Sequence, residues 1–108
     1  MASNFKSYAS SAIGTANTAV YTASAVTTVI GFSLANITES AVFASAFVTK
    51  TGGGGTAYIV KDAPIPFGGS MIAIGSEQKV VLEVGDTLNA YSNTASSMDA
   101  LVSTLELS

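Results

Sequence analysis

A chain of 108 residues is one domain, able to bury about two-thirds of the surface its unfolded form would expose. Apolar residues make up 48% and charged residues only 10%, with a net charge of −3 and neither His nor Cys. That excludes a Ser-His-Asp or Cys-His triad, an imidazole or thiolate metal centre and a disulfide framework. The four lysines (Lys6, Lys50, Lys61, Lys79) are scattered and there is no Arg, so no direct nucleic-acid contact is expected. No run nears the ~20 apolar residues of a membrane helix, so no membrane partner is expected. The first residues lack a basic segment leading into an apolar one, so use without secretion is expected. Such sparse charge fits a subunit packed among neighbours better than a free monomer.

Residues 1–16 are small and polar, with Phe5, Tyr8 and Ile13 spaced along them. They read as an N-terminal arm or an edge strand, and residues 17–108 as the β-sandwich domain proper. Asn17–Ala23 is a short strand centred on Val20 and Tyr21. In Val26–Asn36, Ile30, Phe32 and Leu34 alternate with Val29, Gly31 and Ser33, the period-two signature of a half-buried strand. Ala41–Lys50 alternates again, with Phe43 and Phe47 on one face and Val42, Ala44, Ala46 and Val48 on the other. Its alanines also suit a helix, but the β-branched residues and the glycines that follow favour a strand.

Thr51–Thr56 carries four consecutive glycines and reads as a flexible hairpin loop. Ala57–Lys61 is a strand. The stretch from Asp62 to Gly69 reads as a corner, because Pro64 and Pro66 lack the amide that a central ladder needs; it belongs at an edge or between sheets. Ser70–Ile74, Lys79–Val84, Thr87–Ser92 and Ser97–Leu107 are further strands, separated by Gly75–Gln78, Gly85-Asp86 and Asn93–Ser97. Val80, Leu82 and Val84 share one face, as do Leu101, Leu105 and Leu107. Eight or nine short strands at this spacing predict an all-β fold, a single antiparallel β-sandwich with jelly-roll-like or immunoglobulin-like layering.

Chemistry-bearing patterns are few. The glycine run has no Lys-Ser/Thr after it and is no phosphate loop. Asn36-Ile37-Thr38 matches a glycosylation sequon but reads as a turn. Asp86 after Gly85 is a hydrogen-bonded turn or, less readily, a calcium ligand, which would need several converging oxygens. Asp99 either caps the Asn93–Ser97 loop or pairs with a lysine across a subunit contact. Asp62, Glu77, Asp86 and Asp99 fall at turns and strand edges rather than as paired acids facing a cleft. No catalytic residue, cofactor or metal is therefore expected, and the chain reads as no enzyme. The exposed aromatics Phe5, Tyr8, Tyr58, Phe67 and Tyr91 are the interface candidates. Tyr58, Tyr91 and Phe67 are also the stacking residues that a carbohydrate-binding module would use.

Val60–Pro66, Gly75 through Glu83, Gly85–Leu88 and Ser97–Ser103, with Thr28–Asn36 upstream, resemble small structural proteins of tailed bacteriophages, including phages of cyanobacteria. The resemblance spans about Val26 to Glu106 and carries no catalytic motif. It implies a virion component in many copies on the head, a capsid decoration or cement protein. The other positions it allows are neck, tail or fibre attachment. Its implied partners are copies of itself, as a trimer or higher oligomer, and the major capsid protein or tail and neck proteins. Assembly would take place in the bacterial host cytoplasm. The four-glycine loop departs from the simplest form of the pattern.

Overall fold

Alternating side chains fold into strands because each strand then offers one apolar face to a partner layer. The computed structural model describes residues 3–75 and 79–107; the last three residues of the expected Gly75–Gln78 turn, and Met1, Ala2 and Ser108, lie outside them. The strands are β1 (Ser3–Ile13), β2 (Thr18–Thr22), β3 (Thr27–Asn36), β4 (Val42–Lys50), β5 (Gly55–Ile65), β6 (Ser70–Ile74), β7 (Val80–Leu82), β8 (Thr87–Ser92) and β9 (Met98–Leu107). They form two antiparallel sheets. One has the order β1-β9-β3-β6, with β7 also paired to β3; the other has the order β2-β8-β4-β5. Within the stretch 1–16, Ser3–Ile13 form an edge strand of the larger sheet.

This strand order is that of a jelly roll rather than of an immunoglobulin domain. The pairing is nested: β4 with β5, β3 with β6 and β7, β2 with β8, β1 with β9. Partnered residue numbers in these pairs add to 105 at the tip, where Lys50 faces Gly55, and to 110 at the far end, where Ser3 faces Leu107. The chain is thus one long folded ribbon, rolled until its two halves make two layers. The tip is the glycine run. Gly52, Gly53 and Gly55 all have φ between 66° and 91°, a region costly for other residues.

The core lies between the layers. Val29, Phe32 and Leu34 of β3 and Met98, Ala100 and Val102 of β9 meet Val42, Ala44, Ala46 and Val48 of β4 and Leu88 and Ala90 of β8. The alanines of β4 thus point inward in a strand, not along a helix. Among the described residues, no buried side-chain nitrogen or oxygen lacks a hydrogen-bond partner.

Three details depart from simple alternation. The β3 register slips between Val29 and Gly31 on its way past β9. Val29 therefore turns inward with Phe32 and Leu34, while Ile30 is only half-buried. β7 ends at Leu82, so Val84 is exposed in a turn rather than sharing the Leu82 face. The expected corner at Asp62–Gly69 is shorter: β5 runs on through Pro64 to Ile65, and the turn is Pro66–Gly69, closed by Gly69 N donating to Pro66 O at 2.9 Å. Proline is tolerated there because β5 is an edge strand with no further neighbour to receive an N–H.

Candidate functional site

The two sheets have outer faces of opposite character. On the four-stranded sheet the register places Ser45 and Phe47 of β4 beside Tyr91 and Asn89 of β8, and Phe47 beside Tyr58 of β5. Phe47 points away from the core yet is only 7% exposed. Tyr58 and Tyr91 cover it, with ring centroids 5.1 and 6.2 Å away. A bulge at Lys61-Asp62, with Asp62 at φ 52°, swings both side chains over this cluster. Asp62 N donates to Ser45 Oγ at 3.0 Å, and Lys61 Nζ sits 4.7 Å from the centre of the Tyr58 ring. The Tyr58 and Tyr91 hydroxyls are 3.2 Å apart, and Lys61 Nζ donates to Tyr91 Oη at 3.5 Å.

The Tyr91 hydroxyl is the meeting point of this group. Its pKa lies below the usual phenol value because of the Ser45 hydroxyl first and the Tyr58 hydroxyl second. The Tyr58 pKa is raised, chiefly by its hydrogen bond to Tyr91. Around Phe47 this face is closed by its own side chains, while Phe43, two turns of the pleat away on β4, stays 44% exposed. For glycan binding, the Tyr58 ring already has Phe47 against it and Lys61 over it, so a sugar would have to displace them.

The outer face of the five-stranded sheet is bare. Pairing brings Phe5, Ser7 and Ala9 of β1 beside Leu105, Ser103 and Leu101 of β9, and those beside Thr28, Gly31 and Ser33 of β3. Ile72 of β6 stands beside Ser33, and Val81 of β7 beside Thr28. Phe5 is 76% exposed, Ile72 71% and Leu101 49%, and Val81 and Leu107 are exposed too. Among the described outward side chains of these strands the one charge is Asp99, whose Oδ1 accepts from Ala12 N at 3.0 Å. Lys79 stands at the rim, ahead of β7. Near Asp99 the face dips into a hollow of about 300 Å³ lined by Ala9, Ser33, Ala35 and Leu101, among others.

The chain matches no family model, and neither a curated protein nor a solved structure matches it. The reading of its surfaces therefore rests on their own geometry.

The five interface candidates separate accordingly. Phe5 lies on the bare face. Tyr58 and Tyr91 come together on the sealed one. Phe67 is exposed in the Pro66–Gly69 turn, at the loop end that also exposes Ile37. Tyr8 is turned inward and engaged within the chain: its ring lies 4.9 Å from that of Tyr21, and its hydroxyl donates to Glu106 Oε2 at 2.5 Å. Tyr21 donates to the same oxygen at 2.8 Å. The hydrogen bond to Glu106 pushes the Tyr8 pKa up to about 12, and the Glu106 pKa falls in return. Together these bonds fasten edge strand β1 to the body.

Of the acids singled out earlier, Glu77 lies outside the described residues, and Asp86 and Asp99 are tied into the fold. Asp86 is 1% exposed. It accepts from Glu83 N at 2.8 Å, Thr51 N at 3.0 Å and Thr51 Oγ1 at 3.2 Å, and it pairs with Lys50. The Lys50 ammonium, also 3.1 Å from Glu83 Oε1, stands where a calcium ion would need to sit. Asp99 bonds a backbone amide, but that of Ala12 on β1 rather than one in the Asn93–Ser97 loop. That loop is closed by Ser97 Oγ donating to Ser92 Oγ at 2.7 Å and by Phe43 N donating to Asn93 Oδ1 at 3.0 Å. Asn36 is buried; its amide donates to Ser40 O and Ile65 O, and its Oδ1 accepts from Thr38 N. The sequon is a turn whose nitrogen is occupied.

Sequence reading missed Phe47, Lys61 and Ser45, because a bulge and a three-strand register assemble them. The bare face left a trace: in β9 both alternating sets are apolar, Met98, Ala100 and Val102 on one side and Leu101, Leu105 and Leu107 on the other. A strand apolar on both sides is normally covered on both.

Proposed function

We propose that this chain is a bacteriophage virion structural protein that assembles in many copies on the head as a capsid decoration or cement protein. The observation that carries the reading is the outer face of the five-stranded sheet, large and apolar with Asp99 the single charge among its described outward side chains, on a domain with a core of its own. A monomer leaves such a patch uncovered at the risk of aggregation, whereas a packed subunit buries it. The sheet edges argue for contact through the face. β1 carries Lys6 and a bulge before Ile13, and β5 carries the Asp62 bulge and Pro64. These are the devices that discourage edge-to-edge pairing.

In this role the bare face packs against neighbouring copies, and the exposed Ile37 and Phe67 end is left for the shell. Cementing is mass action: a protein that binds the assembled shell and not its free subunits stabilises the shell. Many modest contacts on one particle multiply the effect. A jelly roll is a common architecture of capsid proteins, and also of lectins and cupins, so the fold alone would not decide.

Electron cryo-microscopy of particles with and without the protein tests the reading. Many copies on the head, and more fragile particles in their absence, are expected. A few copies at the neck or tail would move the assignment there, and absence from the particle would overturn it.

A further inference from the structure

The bare face holds a projecting side chain and a depression at opposite ends of the same strand. Phe5 stands at one end of β1. The hollow of about 300 Å³ lies at the other, where Ala9 meets Ser33, Ala35, Asp99 and Leu101. Phe5 and Ala9 are four residues apart on one side of the strand, roughly 13 Å. A twofold axis crossing β1 near Ser7, lying between two stacked faces and running across the strands, carries each Phe5 over the partner's Ala9. It does the reverse at the same time, which is the requirement of an isologous contact.

We propose that two copies of this chain pair face to face through the five-stranded sheet, each Phe5 ring seated in the hollow of the other. This rests on the reading that the bare face is a packing surface and names its occupant as a second copy. Three features favour that occupant. Both halves of the fit are present on one chain. The face has next to no charge, so stacking it on itself sets few like charges together; each Asp99 lies at an end of the face, with one oxygen held by Ala12 N. The area is also adequate. Strands about 33 Å long, spread over about 19 Å of sheet, give roughly 600 Å² per copy. That places the pair at the lower edge of specific interfaces, which start near ~1,200 Å² in total. Stacked sheets sit about 10 Å apart, aligned within about 30°, so the side chains interdigitate.

Sedimentation equilibrium of the full chain is the first test. A reversible dimer is expected, and Phe5→Glu and Ala9→Trp, both at exposed positions, should each raise its dissociation constant about tenfold or more. Phe43→Ser, exposed on β4 of the other sheet, should leave it unchanged. Because the chain lacks cysteine, register can be read by mixing Phe5→Cys and Ala9→Cys chains with a short bismaleimide. The mixture should cross-link and neither variant alone should. A wild-type monomer at every concentration, or a dimer indifferent to both face variants, would overturn the pairing. So would a Phe5→Cys chain that cross-links to itself. A monomer that still loads onto particles would sink the pairing and keep the virion reading; a dimer found on no particle would do the reverse.

Discussion

The outer faces of the two sheets start from similar material and end differently. Both carry large apolar side chains pointing away from the core. On the four-stranded sheet, Phe47 is roofed by Tyr58 and Tyr91, themselves tied to Lys61 and Ser45. On the five-stranded sheet, Ile72 and Leu101 have serine and alanine beside them, too short to cover anything, and Phe5, with Leu105 alone beside it on β9, stays 76% exposed. The difference teaches that an outward phenylalanine is not by itself an interface. What matters is whether the neighbouring strands supply side chains long enough to close over it.

Substitution at Phe47 should show the largest effect. Phe47→Ala removes a ring buried by its own chain and is expected to cost about 3 kcal/mol, lowering Tm by roughly 15 °C. On the bare face, Ile72→Ser and Leu101→Ser should shift monomer stability by no more than about 0.5 kcal/mol while weakening association. If thermal melts of dilute protein showed equal losses at Phe47 and Leu101, the distinction between the faces would fail.

Acid sharpens the comparison at the strands that hold each face. Asp86, fixed through Lys50 and Thr51, secures the tip between β4 and β5. Glu106, fixed through Tyr8 and Tyr21, secures β1, which carries Phe5. Both carboxylates have pKa values lowered by folding, Asp86 by Lys50 first and Glu106 by the Tyr8 hydroxyl first. Their stabilisation is therefore complete above the unfolded carboxyl range, about pH 4, and is lost as pH falls through the lowered values. Glu106→Gln should lower Tm at neutral pH and flatten its fall in acid, as measured by melts from pH 7 to pH 2. An unchanged acid limb would remove Glu106 from that role.

The smallest effect is spectroscopic. Tyr91 should ionise first of the four tyrosines and Tyr8 last, near 12. Tyr91→Phe should delete the earliest step of an ultraviolet titration, bring the Tyr58 step down and leave those of Tyr8 and Tyr21. Survival of that step would mean that the sealed face is not organised around Tyr91.

Much of the fold was legible because period-two alternation is local: the strands, the glycine tip and the Pro64 edge all follow from neighbouring residues. The bulges at Ile30 and Asp62 were not, because a register slip is set by the facing strand. Asp62 holds φ 52° only with Ser45 accepting its amide hydrogen. The site divides in the same way. Phe5, Tyr58, Phe67 and Tyr91 could be named as aromatics, but the inward turn of Tyr8 depends on Glu106, 98 positions away.

The most direct test is hydroxyl-radical footprinting of the protein dilute and assembled. Phe5, Ile72, Leu101 and Leu107 should lose reactivity on assembly, while Tyr58 and Tyr91 keep theirs. Protection of Tyr58 and Tyr91, with Phe5 and Leu101 still reactive, would contradict the assignment of the five-stranded sheet as the packing surface.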